Sequence, residues 1–181
     1  MASLSILETA LYASDLEAVE RFYTEVLGLT LDSRVSGRHA FFRCGDSMLL
    51  VFDPDATSAT VGEVPTHGAR GPGHVAFAVG DDDFDSWSTR LAEHDVEIEA
   101  SIGWPAGGRS IYFRDPAGNS VELATPGIWG IGPRWTRRAP RGRIRSAGRA
   151  VPTSTATTRQ HQAIFFPPDA ADRGPHGRRS W

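Results

Sequence analysis

Glu8-Thr9-Ala10-Leu11-Tyr12-Ala13-Ser14-Asp15 is answered sixty-six positions later by His74-Val75-Ala76-Phe77-Ala78-Val79-Gly80-Asp81. Both stretches alternate in the period of a strand and then run into a helix. In the first, Glu8, Ala10 and Tyr12 share one face. In the second, His74, Ala76 and Ala78 do. Each face therefore opens on a residue type that binds metals. Glu122 offers a third such residue, in the strand-like run Ser120-Val121-Glu122-Leu123.

Reading outward, Ser14-x-x-Glu17 has the form of a capping box, and Leu16, Val19, Phe22, Tyr23, Val26 and Leu27 give a helical apolar stripe that Gly28 ends. Three short strands follow over 29–35, 38–44 and 47–52, with hairpin turns at Ser36-Gly37 and Gly45-Asp46. The segment 54–73, rich in Pro and Gly, reads as a linker with no regular element. After it the pattern recurs. Asp82 or Asp83 caps a helix carrying Phe84, Trp87 and Leu91, and strands follow over 96–102, 109–114 and 120–124.

The order is βαβββ twice, in modules 5–53 and 74–126. Residues repeat as well as pattern. Arg38-His-Ala-Phe-Phe-Arg43 matches Arg109-Ser-Ile-Tyr-Phe-Arg114, and Gly45-Asp-Ser-Met-Leu-Leu50 matches Gly118-Asn-Ser-Val-Glu-Leu123. The second match pairs Glu122 with Leu49.

Composition divides the chain elsewhere. Residues 1–130 carry 8 Arg against 20 Asp and Glu, a net −12, and residues 131–181 carry 11 Arg against 2 Asp, a net +9. There is no lysine. The expected organisation is one acidic domain over 1–130 and a basic, disordered tail over 131–181. Nucleic-acid binding by that tail is the lesser expectation. No apolar run is long enough to span a membrane. The first residues lack a basic leader, and the single cysteine, Cys44, precludes an internal disulfide. A cytoplasmic protein is expected.

The repeat and its motifs resemble the vicinal oxygen chelate superfamily, which takes in glyoxalase I, extradiol dioxygenases, and fosfomycin- and bleomycin-resistance proteins. The resemblance rests on Leu7-Glu8 through Leu16 with Phe22-Tyr23 and Leu27-Gly28-Leu29, on Gly73-His74-Val75-Ala76-Phe77, and on Tyr112 to Leu123. It implies an α+β fold in which two βαβββ modules form a half-open barrel. It also implies a metal held by Glu8, His74 and Glu122, with Leu49 at the fourth position. One glutamate in a strand is usually solvated and one histidine is usually structural; three at repeat-equivalent positions argue for a site.

Two carboxylates and an imidazole suit Mn²⁺, Fe²⁺ or Mg²⁺, with Ni²⁺, Co²⁺ and Zn²⁺ also accessible. Open positions would take two adjacent oxygens of a small substrate. Glu122 or Glu8 would serve as catalytic proton-transfer base. Substrate contacts are expected from Tyr112, Ser110 and Arg109, with Trp104-Pro105-Ala-Gly-Gly108 as a loop over the cavity. His39 and His67 read as surface residues. The resemblance further implies a homodimer with shared sites.

The first-choice activity is a glyoxalase-type lyase or isomerase. An extradiol dioxygenase is the alternative, disfavoured because Glu8 stands where the iron site of two histidines and one carboxylate has His. A metal-free drug-binding protein of the bleomycin-resistance kind is the other alternative.

Overall fold

The computed structural model describes residues 4–59 and 64–130. The expectation of a disordered tail over 131–181 lies outside the described residues. The first module runs β1 (Glu8–Tyr12), α1 (Leu16–Arg21), a π-helical turn (Phe22–Val26), β2 (Thr30–Val35), β3 (His39–Cys44) and β4 (Ser47–Phe52). A short helix, α2 (Pro54–Ser58), follows. The second module is β5 (His74–Ala78), α3 (Phe84–Glu93), β6 (Ala100–Gly103), β7 (Arg109–Arg114) and β8 (Ser120–Ala124), closed by a 3₁₀ turn at Pro126–Trp129.

Each module forms one four-stranded mixed sheet, ordered β1-β4-β3-β2 and β5-β8-β7-β6. The opening strand lies parallel to the last strand of its module, and the other pairings are antiparallel. Among the described residues no strand of one sheet pairs with the other, so the α+β fold is as expected and the sheets do not close into a barrel.

Three local expectations are corrected. The α1 cap is Asp15, whose carboxylate accepts from Ala18 N at 2.9 Å, so Ser14 is not the N-cap. Asp83 precedes α3 without a side-chain capping bond. The linker contains α2, which starts on Asp53 as N-cap, accepting from Asp55 N and Ala56 N, with Pro54 at the first helical position. A capping Asp followed by Pro is a helix start that the surrounding glycines obscured.

The π-helical turn has a visible cause. Thr24 Oγ1 donates back to Glu20 O at 2.8 Å, which competes with the backbone ladder, and Leu27 N reaches Phe22 O at 3.3 Å, five residues back. The wider turn buries Phe22, Tyr23 and Val26 together. Gly28 then takes a positive φ of 71°, and Leu29 N closes on Tyr23 O at 2.9 Å.

One core joins the modules. Leu11, Val19, Tyr23, Phe42, Leu49 and Val51 pack with Phe84, Leu91, Ile111, Phe113, Val121 and Leu123. Arg90 of α3 reaches across to the helix of the first module, donating from Nε to Val26 O at 2.5 Å and from Nη2 to Glu25 O at 2.7 Å. Those carbonyls have no partner further along their own helix, so the guanidinium acts as a cap supplied by the other module.

A second link is polar and buried. Asp115 accepts from Tyr23 OH at 3.0 Å, from Ala117 N and Asn119 N at 2.9 Å, and from Asn119 Nδ2 at 2.8 Å. Asn119 Oδ1 accepts from Gly73 N at 2.7 Å, and its Nδ2 also lies 3.3 Å from Tyr12 O. Burial, with Asp115 beside it, holds the Tyr23 phenol well above its ordinary value. One amide thus ties the end of β1 to the residue that precedes β5.

His39 is not a surface residue. It is buried, stacks on Phe41 with centroids 4.0 Å apart, and sets Nε2 3.4 Å from Ser33 Oγ. Burial, and next Arg38, lower its pKa below the ordinary 6.5. The unfolded chain therefore takes up this proton first. Stability from a neutral His39 is complete above pH 6.5 and is lost as pH falls through 6.5 toward the lower folded value. Between pH 7 and 5 the melting temperature of the wild type should fall more steeply than that of His39→Phe. Parallel melting curves against pH would exclude this role.

Candidate functional site

Strand register defines the face on which the site is built. In the second sheet His74 pairs with Ser120, Ala76 with Glu122 and Ala78 with Ala124, while Tyr112 lies opposite Glu122 and Ser110 opposite Ala124. Neighbours in register share a face. His74, Glu122, Tyr112 and Ser110 are therefore on one side, and Val75, Val121, Leu123 and Ile111 are on the side that enters the core.

Glu122 is 6% exposed and both its oxygens are engaged. Tyr112 OH donates to Oε1 at 2.8 Å, and His74 Nε2 lies 3.3 Å from Oε2. His74 Nδ1 lies 3.1 Å from Ser120 O. A carbonyl oxygen only accepts, so Nδ1 carries a proton. In the neutral imidazole Nε2 then presents a lone pair toward a carboxylate oxygen. Two acceptors facing one another need a proton or a cation between them. Burial, followed by the bond to Glu122, raises the Tyr112 phenol above its ordinary value and keeps it a donor at neutral pH.

Trp104 and Ser110 are also brought together, with Trp104 Nε1 donating to Ser110 Oγ at 2.9 Å. The loop from Trp104 is seated by Gly108, at φ +86°, where a Cβ would meet Ile128 N at 2.6 Å. Arg109 is a correction. Alternation turns it to the helix side of β7, where Nη1 donates to Asp85 Oδ1 at 2.7 Å, Nη2 donates to Asp81 O at 3.2 Å, and the guanidinium sits 4.3 Å from the Phe84 ring centroid. It is held as a structural cation and faces away from Ser110 and Tyr112.

Glu8 is exposed on β1, in register with Met48. Its face also carries Ala10, Tyr12, Leu50, Phe52 and Phe41. Among the described residues no three His, Cys, Asp or Glu side chains are gathered as a metal cluster, so one chain does not bring Glu8 to His74 and Glu122. The repeat partner of Glu122 also changes. Arg43 pairs with Met48, and Arg114 with Ser120. The second module thus has one more residue in its last connection, and Leu50, not Leu49, corresponds to Glu122. Leu49 is buried in the core.

His67 was another residue that periodicity missed. Its Nδ1 is 2.9 Å from Tyr12 OH, and its ring meets Phe52 edge-on at 4.6 Å. A single histidine in a broken segment leaves no pattern in the sequence. The roles of Asp115 and Asn119 had a local clue, since Asp accepting from the amide two residues on is a turn signature.

These two sheets, with their ligand-type residues on the first strand of each module and the last strand of the second, define a glyoxalase-type fold. The chain belongs to the Glyoxalase/Bleomycin resistance protein/Dioxygenase superfamily, whose profile matches residues 5–123. Its structure is similar to that of lactoylglutathione lyase from Agrobacterium tumefaciens, with 42% identity and a TM-score of 0.70 over 72% of this chain and 100% of that one. A glyoxalase/bleomycin resistance protein/dioxygenase from Nocardioides is 30% identical, with a TM-score of 0.56 over 69% of this chain and 85% of the other. The glutathione transferase FosA of Serratia marcescens is 32% identical over 122 residues, which is 66% of this chain and 79% of that protein. Among the described residues no helix is long and apolar enough to cross a membrane.

Proposed function

We propose that the protein is a metal-dependent enzyme of the glyoxalase type, a lyase or isomerase that acts on a small oxygenated substrate by proton transfer. The observation that carries this reading is the meeting of His74 Nε2 with Glu122 Oε2 at 3.3 Å, two acceptors arranged as ligands. The donor set fits a divalent ion. His74 is fixed in the tautomer that leaves Nε2 free, and Glu122 is oriented by Tyr112. Glu8 would supply the third ligand from a second copy of the chain, because one chain leaves it apart. When bound, the ion supplies Lewis-acid polarisation and chelation of adjacent oxygens.

The chain's own groups then divide the work. Glu122, buried and held at both oxygens, is the fixed carboxylate. Glu8, exposed and less constrained, is the one free to take a proton from substrate and return it. Similarity to the lactoylglutathione lyase supports a hemithioacetal as substrate. Similarity to FosA makes thiol addition the second reading.

Metal analysis of the purified protein tests this, followed by chelation and metal-by-metal reactivation against methylglyoxal–glutathione hemithioacetal, a thiol with an epoxide, and catechol. A bound divalent ion and hemithioacetal turnover are expected, with turnover lost in Glu122→Gln. Protein without metal that no ion reactivates would end the proposal and leave the drug-binding alternative.

A further inference from the structure

The two repeated faces differ chemically at matching positions. Where the second module has Glu122, Tyr112, Ala124 and Ala78, the first has Leu50, Phe41, Phe52 and Tyr12. Along β1, Glu8, Ala10 and Tyr12 begin three successive rows across the sheet, each advancing about 6.6 Å. The first row holds the ligand-type carboxylate. The second, Ala10–Leu50–Phe41, is a small residue beside an apolar floor. The third row ends in a barrier. His67 comes in from the linker, its backbone N bonded to Thr57 O at 3.1 Å, and places its ring on Phe52 and its Nδ1 on the Tyr12 hydroxyl.

We propose that His67, braced by Tyr12, is the specificity-determining end wall of the substrate pocket, and that the substrate carries one compact apolar or aryl group beside its adjacent oxygens. The inference rests on the metal-site reading above, since Glu8 places this face in the site. The apolar group lies over Ala10 and Phe41. Its length is limited to about two rows, roughly 13 Å from Glu8 to the barrier. His67 here excludes and shapes; it transfers no proton.

The test is calorimetric and needs no turnover. The full-length protein, loaded with Mn²⁺ or Zn²⁺, is titrated with acetohydroxamate, benzohydroxamate and 4-phenylbenzohydroxamate, which present one chelating head and none, one or two rings. Benzohydroxamate should bind about tenfold tighter than acetohydroxamate, as burial of one ring predicts. The two-ring probe should bind more weakly than benzohydroxamate. His67→Ala should improve the two-ring probe about tenfold or more by opening that burial, and leave acetohydroxamate unchanged. Tyr12→Phe, which removes the brace and keeps the ring, should shift the same ratio in the same direction by less, and it carries the test if His67→Ala does not fold. Equal binding of the one- and two-ring probes by wild type, or a ratio unmoved in the variants, overturns the end wall while the metal site stands. If none of the three binds the metal-loaded protein, both the wall and the metal site fall.

Discussion

Glu8→Gln and Glu122→Gln should each be inactive alone, and equal amounts mixed under conditions that exchange subunits should regain about a quarter of wild-type activity. The figure follows from two-fold symmetry. Half of the randomly paired dimers contain one chain of each kind. In such a dimer one shared site carries both lesions and the other carries none. One intact site of two, in half of the dimers, is one quarter. If each site drew Glu8, His74 and Glu122 from a single chain, mixing would recover nothing. The test addresses the separation of Glu8 from the His74–Glu122 pair within one chain. Loss of the proton-transfer base should lower kcat by about 10²–10⁴-fold in Glu8→Gln, and loss of the fixed carboxylate should remove metal-dependent turnover in Glu122→Gln, so the recovered quarter would stand clear of background. Hemithioacetal turnover is the readout, and metal content before and after mixing separates ligand loss from base loss.

Asp115→Ala should be the most destabilising single change remote from the site. It removes the acceptor of Tyr23 OH, Ala117 N, Asn119 N and Asn119 Nδ2 at one stroke, in a place where water does not replace it. Several orphaned donors around a buried carboxylate imply a loss of about 3–5 kcal/mol, read as a lowered denaturation midpoint in urea. Tyr23→Phe removes one of those donors and should cost about 1–2 kcal/mol. Asp115→Asn keeps the shape but turns an amide NH₂ toward donors, and should fall between the two. A loss below about 1 kcal/mol for Asp115→Ala would mean that the loop relaxes and that this link does not hold the modules together.

The sequence showed the architecture because the repeat states each element twice. Alternation at Glu8 to Tyr12 and at His74 to Ala78 marked both opening strands, and their outward faces followed from period two. It showed less wherever one residue decides between two local competitors. Ser14 and Asp15 are both good caps, and only geometry chose Asp15. Arg109 begins a strand that faces the site, yet its own parity sends it to Asp85 and Phe84. An ungapped repeat match could not show the extra residue between Arg114 and Ser120, and so paired Glu122 with Leu49. His67 was illegible because its partners Tyr12 and Phe52 lie far off in sequence, on β1 and β4, whereas the His39–Phe41 stack lies within β3 at period-two spacing and was legible in principle.

That extra residue has a genetic consequence. The first half joins the equivalent strands with one codon fewer and still sets Met48 opposite Arg43 and Leu50 on the inward face. A crossover that gave the second half this shorter connection would therefore keep Ser120 opposite Arg114 and Glu122 facing in. The codons that matter to the carboxylate lie within β8 instead. Loss of the one for Val121 would leave Ser120 in place, set Glu122 opposite Phe113 and turn its side chain into the core. Such a deletion preserves the reading frame and nearly every amino acid, yet it erases the site by parity.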